Sequence, residues 1–385
     1  MDILADLKPL KHDIIKVLVD LSFLRKLNIP GFSFKSLSGS PTRVVGIDIG
    51  VSSSKVVQLK YDSGRAILET YGELQNKSYF TETSGIGSGF VKYLDSKLAE
   101  LIKDILRESR VTTKDAVIAI PATSSFVAMV TFPVIPREEI ATAIPFEARK
   151  YIPISLSEVV MDWDILTDEE GAEKIEVLVV AVPRQMIDKI KKVAEMVGLN
   201  LRAMEVETFS MARSLVGRDQ TPTAIINIGS QFTTIAMVDK SRLRVSHNLS
   251  RGSNELTRTL EHSLSIGSEQ AENLKKEIGL SDRPEDKEAS SVMVPLVEVW
   301  MSDIERMISL QDRKAPRKIQ KIILTGGGSS LKGLVEYTNA KFGIEVLKIN
   351  PFSRLTVPPF IQPVLQEIGP GFSVAVGLAL HEIGV

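Results

Sequence analysis

The chain has 385 residues, 43% of them hydrophobic, with 47 basic and 48 acidic side chains and no cysteine. That length exceeds what one hydrophobic core organises, so two lobes are expected. The missing cysteine excludes disulfides, zinc–thiolate centres, iron–sulfur clusters and a cysteine nucleophile, and a net charge of −1 leaves no electrostatic footprint for nucleic acid.

Met1–Gly31 does not read as a secretory signal, because Asp2, Asp6, Lys8, Lys11 and Asp13 interrupt the place where its apolar core should lie. Leu7, Leu10, Ile14, Leu18, Leu21 and Leu24 recur every three or four residues and predict an amphipathic helix over 3–27. Basic residues barely outnumber acidic ones there, so packing on the body or on a protein partner is favoured over a membrane surface. Gly31 to Pro41 reads as a linker.

Val44–Leu59 predicts strand, glycine turn, strand, and Ala224–Val238 repeats the pattern. Without gaps, Ile47 pairs with Ile226, Asp48 with Asn227, Gly50 with Gly229 and Ser54 with Thr233, a constant offset of 179 residues. A repeat on that scale implies two related halves, each opening with a glycine-turned hairpin.

A helix is expected over Lys92–Ser109, then a strand ending in IAIPATSS. Strand Ser125–Phe132, helix Pro136–Tyr151, strands Glu158–Leu166 and Lys174–Pro183 and helix Arg184–Gly198 come next, as a small α+β module inserted in the first half. Pro136 and Glu138–Glu139 are helix-start signals, while Pro145 should kink or interrupt that helix. Ala116–Pro136 and Thr221–Val238 carry no charge. Pro121, Pro133 and Pro136 cut the first, and Asn227, Gly229, Ser230 and Gln231 the second, so both read as pairs of buried strands rather than membrane spans.

Past the second hairpin, helices are predicted over Glu255–Leu264 and Glu269–Ile278, a polar loop around Ser281–Ser290 and a helix over Val292–Gln311. A buried strand, Ile319–Thr325, runs into Gly326–Gly328 and another helix, and Gly371–Ile383 closes the chain as a helix. The expected domains are 1–42, 43–220 with the insertion at about 124–200, and 221–385 with a small subdomain at about 252–318.

Asp48, Gly50, Ser52, Ser53, Ser54 and Lys55 suit a triphosphate. Glycine lets backbone approach an anion, turn N–H groups and hydroxyls donate to phosphate, and a strand-end carboxylate holds Mg²⁺ through water. One such hairpin is more often a plain turn; two, facing each other, would clamp a polyphosphate. ILTGGGSSLKGL, Ile323–Leu334, ends a buried strand in Gly326, Gly327 and Gly328, a place for backbone to lie against a base or ribose. It fits neither the Walker A spacing nor G-x-G-x-x-G.

Together these pieces resemble the actin/Hsp70/sugar-kinase superfamily and, within it, the FtsA-like branch. Ile47–Lys55 resembles the first phosphate motif, Ile226–Thr234 the second, Ile323–Gly333 the adenosine motif, and Pro121–Phe126 and Gly371–Ala379 the connecting segments. The resemblance implies an α/β, actin-like ATPase fold of two lobes with a small α+β subdomain inserted in the first, holding ATP and Mg²⁺ between the lobes. Asp48 would orient the magnesium hydration shell through water, with Gly50–Lys55 and Asn227, Gly229, Ser230, Gln231 and Thr233 around the phosphates. Arg251–Arg258 and Ala271–Leu280 are similar to the small-subdomain segment, which makes Asn254, Glu272 and Lys275 implied base or ribose contacts. The plain alternative for Glu272 and Lys275 is a surface ion pair.

Phe132–Leu166 resembles the inserted subdomain of the PilM family of type IV pilus assembly, and Val206–Leu215 is similar to the family's segment just after that insertion. The likeness implies a cytoplasmic ATP-binding adaptor, peripheral to the inner membrane through its partners. It would bind the N-terminal cytoplasmic tail of the inner-membrane protein PilN and couple it to the pilus motor, with self-association left open. The implied peptide groove lies between the insertion and the first lobe, near Phe146, Arg149, Tyr151, Ile152 and Pro153; the alternative for each apolar one is plain core.

Two departures matter. Asn227 stands where the second phosphate motif usually has an aspartate, so nucleotide binding should survive while Mg²⁺ affinity and hydrolysis weaken, at most to a slow ATPase. The extension before Val44 lies outside the resemblance. Two rivals belong to the same superfamily. A small-molecule kinase needs an acidic base, for which Glu205 and Glu207 are the nearby candidates. A polymerising FtsA-like division scaffold would carry a C-terminal amphipathic helix, whereas this sequence runs to Val385 straight after the second connecting segment.

Other chemistry is disfavoured. His12, His247, His262 and His381 have no metal-ligand spacing, and no G-x-S-x-G occurs. Asp162 and Asp164, flanking Trp163, and the basic Lys314, Arg317, Lys318 and Lys321 read as solvated surface.

Overall fold

The computed structural model describes residues 42–80, 93–134, 137–166 and 174–381; the helix expected over 3–27 and its linker fall outside them. The described residues form two compact units, one of 42–49, 54–207 and 378–381, the other of 50–53 and 208–377.

The first unit contains β1 (Arg43–Ile49), β2 (Ser53–Asp62), β3 (Arg65–Gln75), α1 (Asp95–Glu108), β4 (Asp115–Ile120), β5 (Phe126–Pro133), α2 (Arg137–Ala148), β6 (Val159–Ile165), β7 (Lys174–Pro183), α3 (Arg184–Val197) and β8 (Asn200–Val206). One sheet runs β3-β2-β1-β4-β8, and a separate one runs β5-β7-β6. Val44, Val45 and Ile47 are buried, with no polar alternation, as expected of a central strand covered on both faces. α1 buries Leu98, Leu101, Ile102 and Ile105, α3 buries Met186, Ile187, Ile190 and Val193, and Lys189 of α3 bonds Asp95 of α1 at 2.7 Å.

In the smaller sheet β7 pairs antiparallel with β5 and with β6. Its core joins Val130, Phe132, Val177 and Val179 to Ile140, Ile144 and Ala148 of α2. α2 runs through Pro145 instead of being interrupted there. Proline costs a helix interior about 3 kcal/mol. The apolar residues that α2 buries on one side, Ile140, Ile144 and Ala148, offset that cost.

The second unit contains α4 (Glu207–Met211, opening on the last residue of the first unit), a π turn at Ala212–Val216, β9 (Thr223–Ile228), β10 (Thr233–Asp239), β11 (Arg242–Leu249), α5 (Ser253–Leu264), α6 (Ser268–Ile278), α7 (Lys287–Asp312), β12 (Lys321–Thr325), α8 (Leu334–Phe342), β13 (Glu345–Lys348), α9 (Gln362–Ile368) and α10 (Ser373–Ala379, its last two residues counted with the first unit). Its sheet runs β11-β10-β9-β12-β13, the order of the first unit's sheet repeated. Register repeats as well. Ile49 opposes Ser54 and Asp48 opposes Lys55 in the first hairpin; Ile228 opposes Thr233 and Asn227 opposes Thr234 in the second. The offset read along the chain is therefore a repeat of topology and pairing.

Two boundaries and four edge strands differ from expectation. α7 starts at Lys287, inside the expected polar loop, and passes through Pro295. Gly327–Ser330 makes a 3₁₀ turn, so α8 begins at Leu334 rather than at the glycines. The edge strands β3, β8, β11 and β13 join the two sheets without having been foreseen. Ala116–Pro136 contributes β4 and β5, joined by a 3₁₀ turn at Ala122–Ser124, and Thr221–Val238 contributes β9 and β10; no described helix is long and apolar enough to cross a membrane.

Candidate functional site

In the first unit Asp48 ends β1 half-buried, opposite Lys55, whose Nζ lies 3.1 Å from Glu73 Oε1 on β3. Burial pushes the Asp48 carboxyl up to about 6; Lys55 opposes that shift and Glu73 adds to it. Glu207, where β8 passes into α4, is raised further, to about 7, first by burial and then by the charge of Asp48. The Ala122 N–H donates to Glu207 Oε1 at 2.9 Å and acts the other way. Glu207 thus joins Asp48 electrostatically. The sequence marks it as a candidate kinase base and gives no sign of this pairing.

Both hairpin turns need glycine. The Gly50 N–H donates to Ser53 O at 3.2 Å and the Gly229 N–H to Phe232 O at 2.9 Å. A Cβ would fall 2.6 Å and 2.9 Å from those same oxygens. Ser52 is exposed and Ser53 half-buried, but the next hydroxyls along turn inward. Ser54, 1% exposed, donates to Asn76 Oδ1 at 2.9 Å, and its counterpart Thr233, fully buried, donates to Arg251 O at 2.8 Å. The expectation that these two reach phosphate is corrected, because alternation along the strand puts them on the covered face.

In the second unit Gly326, at φ +83°, lets the end of β12 lie on the hairpin; a Cβ there would be 2.4 Å from Asn227 Oδ1 and 2.5 Å from Ile228 O. Gly328 lies against Ile228 in the same way, whereas a Cβ on Gly327 would meet open space. The Ser253 and Asn254 N–H groups, at the start of α5, each donate at 2.9 Å, to Gly229 O and Ser230 O. Gln231 remains exposed at the tip.

Glu272 and Lys275 are no surface pair. Lys275 is 6% exposed, and its Nζ donates to Glu272 Oε2 (2.6 Å), Thr257 Oγ1 (2.8 Å) and Ser253 O (3.3 Å). All three ammonium hydrogens therefore have acceptors inside the unit. Burial pulls the Lys275 pKa down against the opposing bond to Glu272.

On the inserted module Phe146 is 64% and Tyr151 50% exposed, Arg149 and Pro153 are exposed, and Ile152 is buried in the module core. The plain-core alternative holds for Ile152 and fails for the two aromatics. Tyr151, but not Phe146, lines an apolar hollow together with Phe126, Ala128, Val130, Ala148 and Ile152.

Other sequence readings are also corrected. Asp162 is half-buried and raised by burial, with the Trp163 N–H donating to it at 2.9 Å. Arg317 pairs with Asp239 at 2.7 Å and Lys321 with Asp219, so the basic loop is partly neutralised. Among the described residues no group of three His, Asp or Glu could hold a metal.

The family model of the type IV pilus assembly protein PilM matches residues 46–383. The chain belongs to the PilM family. Its fold is the actin-like α/β fold, and a chain of a PilM-PilN type IV pilus biogenesis complex superposes with a TM-score of 0.77 at 22% identity, covering 90% of this chain and 99% of that one. Cell division protein FtsA of Streptococcus pneumoniae is 25% identical over 184 residues, 43% of this chain and 40% of that protein. FtsA of Enterococcus faecalis is 21% identical over 346 residues, 78% and 77% of the two chains. The PilM family model thus spans both hairpins, the insertion and the glycine-rich strand end.

Proposed function

We propose that this member of the PilM family is a nucleotide-loaded adaptor of type IV pilus assembly. It holds ATP with Mg²⁺, receives the cytoplasmic tail of a PilN-type inner-membrane partner and links that partner to the pilus motor. The observation that carries the nucleotide half is the repeated hairpin. Two glycine turns in the same register, on sheets of the same strand order, present the exposed Ser52 and Gln231 at hairpin tips of a shape suited to phosphate. Gly327, whose Cβ position is open, leaves the same strand end free for a base or ribose to lie against.

Mg²⁺ fits the first hairpin. It keeps most of its water and asks for one or two carboxylates besides the phosphates. Asp48 offers a desolvated carboxylate whose raised pKa reflects charge poorly served by its surroundings. Bound there, the ion would neutralise phosphate charge. Asn227 adds an acceptor without a charge, which favours retention of nucleotide over turnover.

The partner half is supported by the exposed Phe146 and Tyr151, the second of which lines an apolar hollow, and by the similarity to a chain of a PilM-PilN complex. Aromatic anchors next to a hollow suit a short apolar peptide. Titration of the full chain with a PilN N-terminal peptide, with and without ATP–Mg²⁺, tests it. Saturable binding is expected; none in either condition removes the partner and leaves the fold intact.

A further inference from the structure

A charged row crosses three neighbouring strands of the first unit. Asp48 and Lys55 are directly opposed in the β1–β2 ladder, so their side chains leave the same face of the sheet. Glu73 comes from β3, the next strand out, and its Oε1 meets Lys55 Nζ at 3.1 Å. The row therefore reads carboxylate, ammonium, carboxylate. The Lys55 side chain is 13% exposed and that of Glu73 is 38% exposed. In an ordinary surface pair both ends are solvated; here the cation is the withdrawn partner and needs a counter-charge. Asp48 and Glu73 stand on either side of it as competitors.

We infer that Glu73 is a positioning residue, holding the Lys55 ammonium off Asp48 so that the Asp48 carboxylate stays open to the divalent cation that arrives with a nucleotide. The inference rests on the proposed binding of ATP and Mg²⁺. Without Glu73, the ammonium is drawn further toward Asp48, directly opposite it in the strand pair, and an incoming cation must compete with it there. Glu73 itself needs no contact with nucleotide or metal. Its effect falls on the metal dependence of binding.

The test is a calorimetric titration of the full chain with ATP, in Mg²⁺ and in EDTA, alongside thermal unfolding. The wild type is expected to bind more tightly with Mg²⁺. Glu73→Gln should cut the ratio of the two affinities roughly tenfold, the factor one unit of differential interaction carries, while metal-free binding is retained. Lys55→Met in that background should restore the ratio, since no ammonium is left to fall on Asp48. Lys55→Met alone should weaken binding in both conditions and keep the ratio, an outcome readable even if Glu73→Gln fails to fold. An unchanged ratio in Glu73→Gln, or a collapsed one in Lys55→Met alone, overturns the inference. A folded wild type that binds no ATP overturns the nucleotide reading instead.

Discussion

Burial and, after it, the charge of Asp48 raise the carboxyl of Glu207, and both groups sit half-buried at strand ends of the first unit's sheet. Both groups hold a proton more tightly folded than unfolded, so their favourable contribution is complete below pH 4 and is lost as pH rises through about 6 and about 7. At pH 7.5 both are charged and destabilising. Asp48→Asn or Glu207→Gln should therefore raise stability at pH 7.5, by on the order of 2 kcal/mol, and give no gain at pH 4. Chemical denaturation at the two pH values checks this; a loss at pH 7.5 would show that the charged forms are held by favourable contacts.

The glycine-rich strand end allows a sharp contrast. Gly326→Ala puts a methyl 2.4 Å from Asn227 Oδ1 at a positive φ, whereas Gly327→Ala meets open space. The first should cost about 1–3 kcal/mol and disturb the second hairpin, and the second should be close to neutral. Denaturant midpoints of the two variants decide; equal midpoints would contradict the packing of Gly326 on Asn227.

Neighbouring serines divide in the same manner. Ser54→Ala removes the buried hydrogen bond to Asn76 Oδ1 and should cost about 1–3 kcal/mol, with nucleotide affinity kept wherever the fold persists. Ser52→Ala should spare stability and weaken ATP binding, Ser52 being exposed at the turn. Melting curves and ATP titrations of both variants separate the roles, and the reverse pattern would overturn them.

Much of this architecture is legible along the chain. β1 and β9 announce themselves as apolar runs, each broken only by one polar residue (Asp48, Asn227) just before a glycine turn, and the offset of 179 residues anticipated a repeated register. β3 and β11 escaped because edge strands such as RAILETYGELQ and RLRVSHNL mix polar and apolar residues, with half their surface turned to solvent. The start of α7 escaped because Lys287–Ser291 is polar and takes its helical state from the turns after it. Ser54 and Thr233 were misjudged because residue type identifies a phosphate donor while strand parity decides which way it points. The Glu207–Asp48 coupling joins residues 159 positions apart, visible once β8 lies two strands from β1.

For the partner surface, Phe146→Ala should leave stability within about 0.5 kcal/mol, the ring being exposed, and should weaken peptide binding by tenfold or more, in the range of a hot-spot truncation. Ile152→Ala should instead cost about 2–5 kcal/mol of stability, as a member of the module core. Unfolding and peptide titration of both variants check the assignment; undiminished binding by Phe146→Ala would move the peptide elsewhere.

The central claim is that this chain holds a nucleotide. Calorimetric titration of the folded full chain with ATP and Mg²⁺ tests it most directly. Saturable binding of one ATP per chain, lost in a variant carrying a bulky side chain at Gly229, is the predicted result. No saturable heat in folded protein would contradict it.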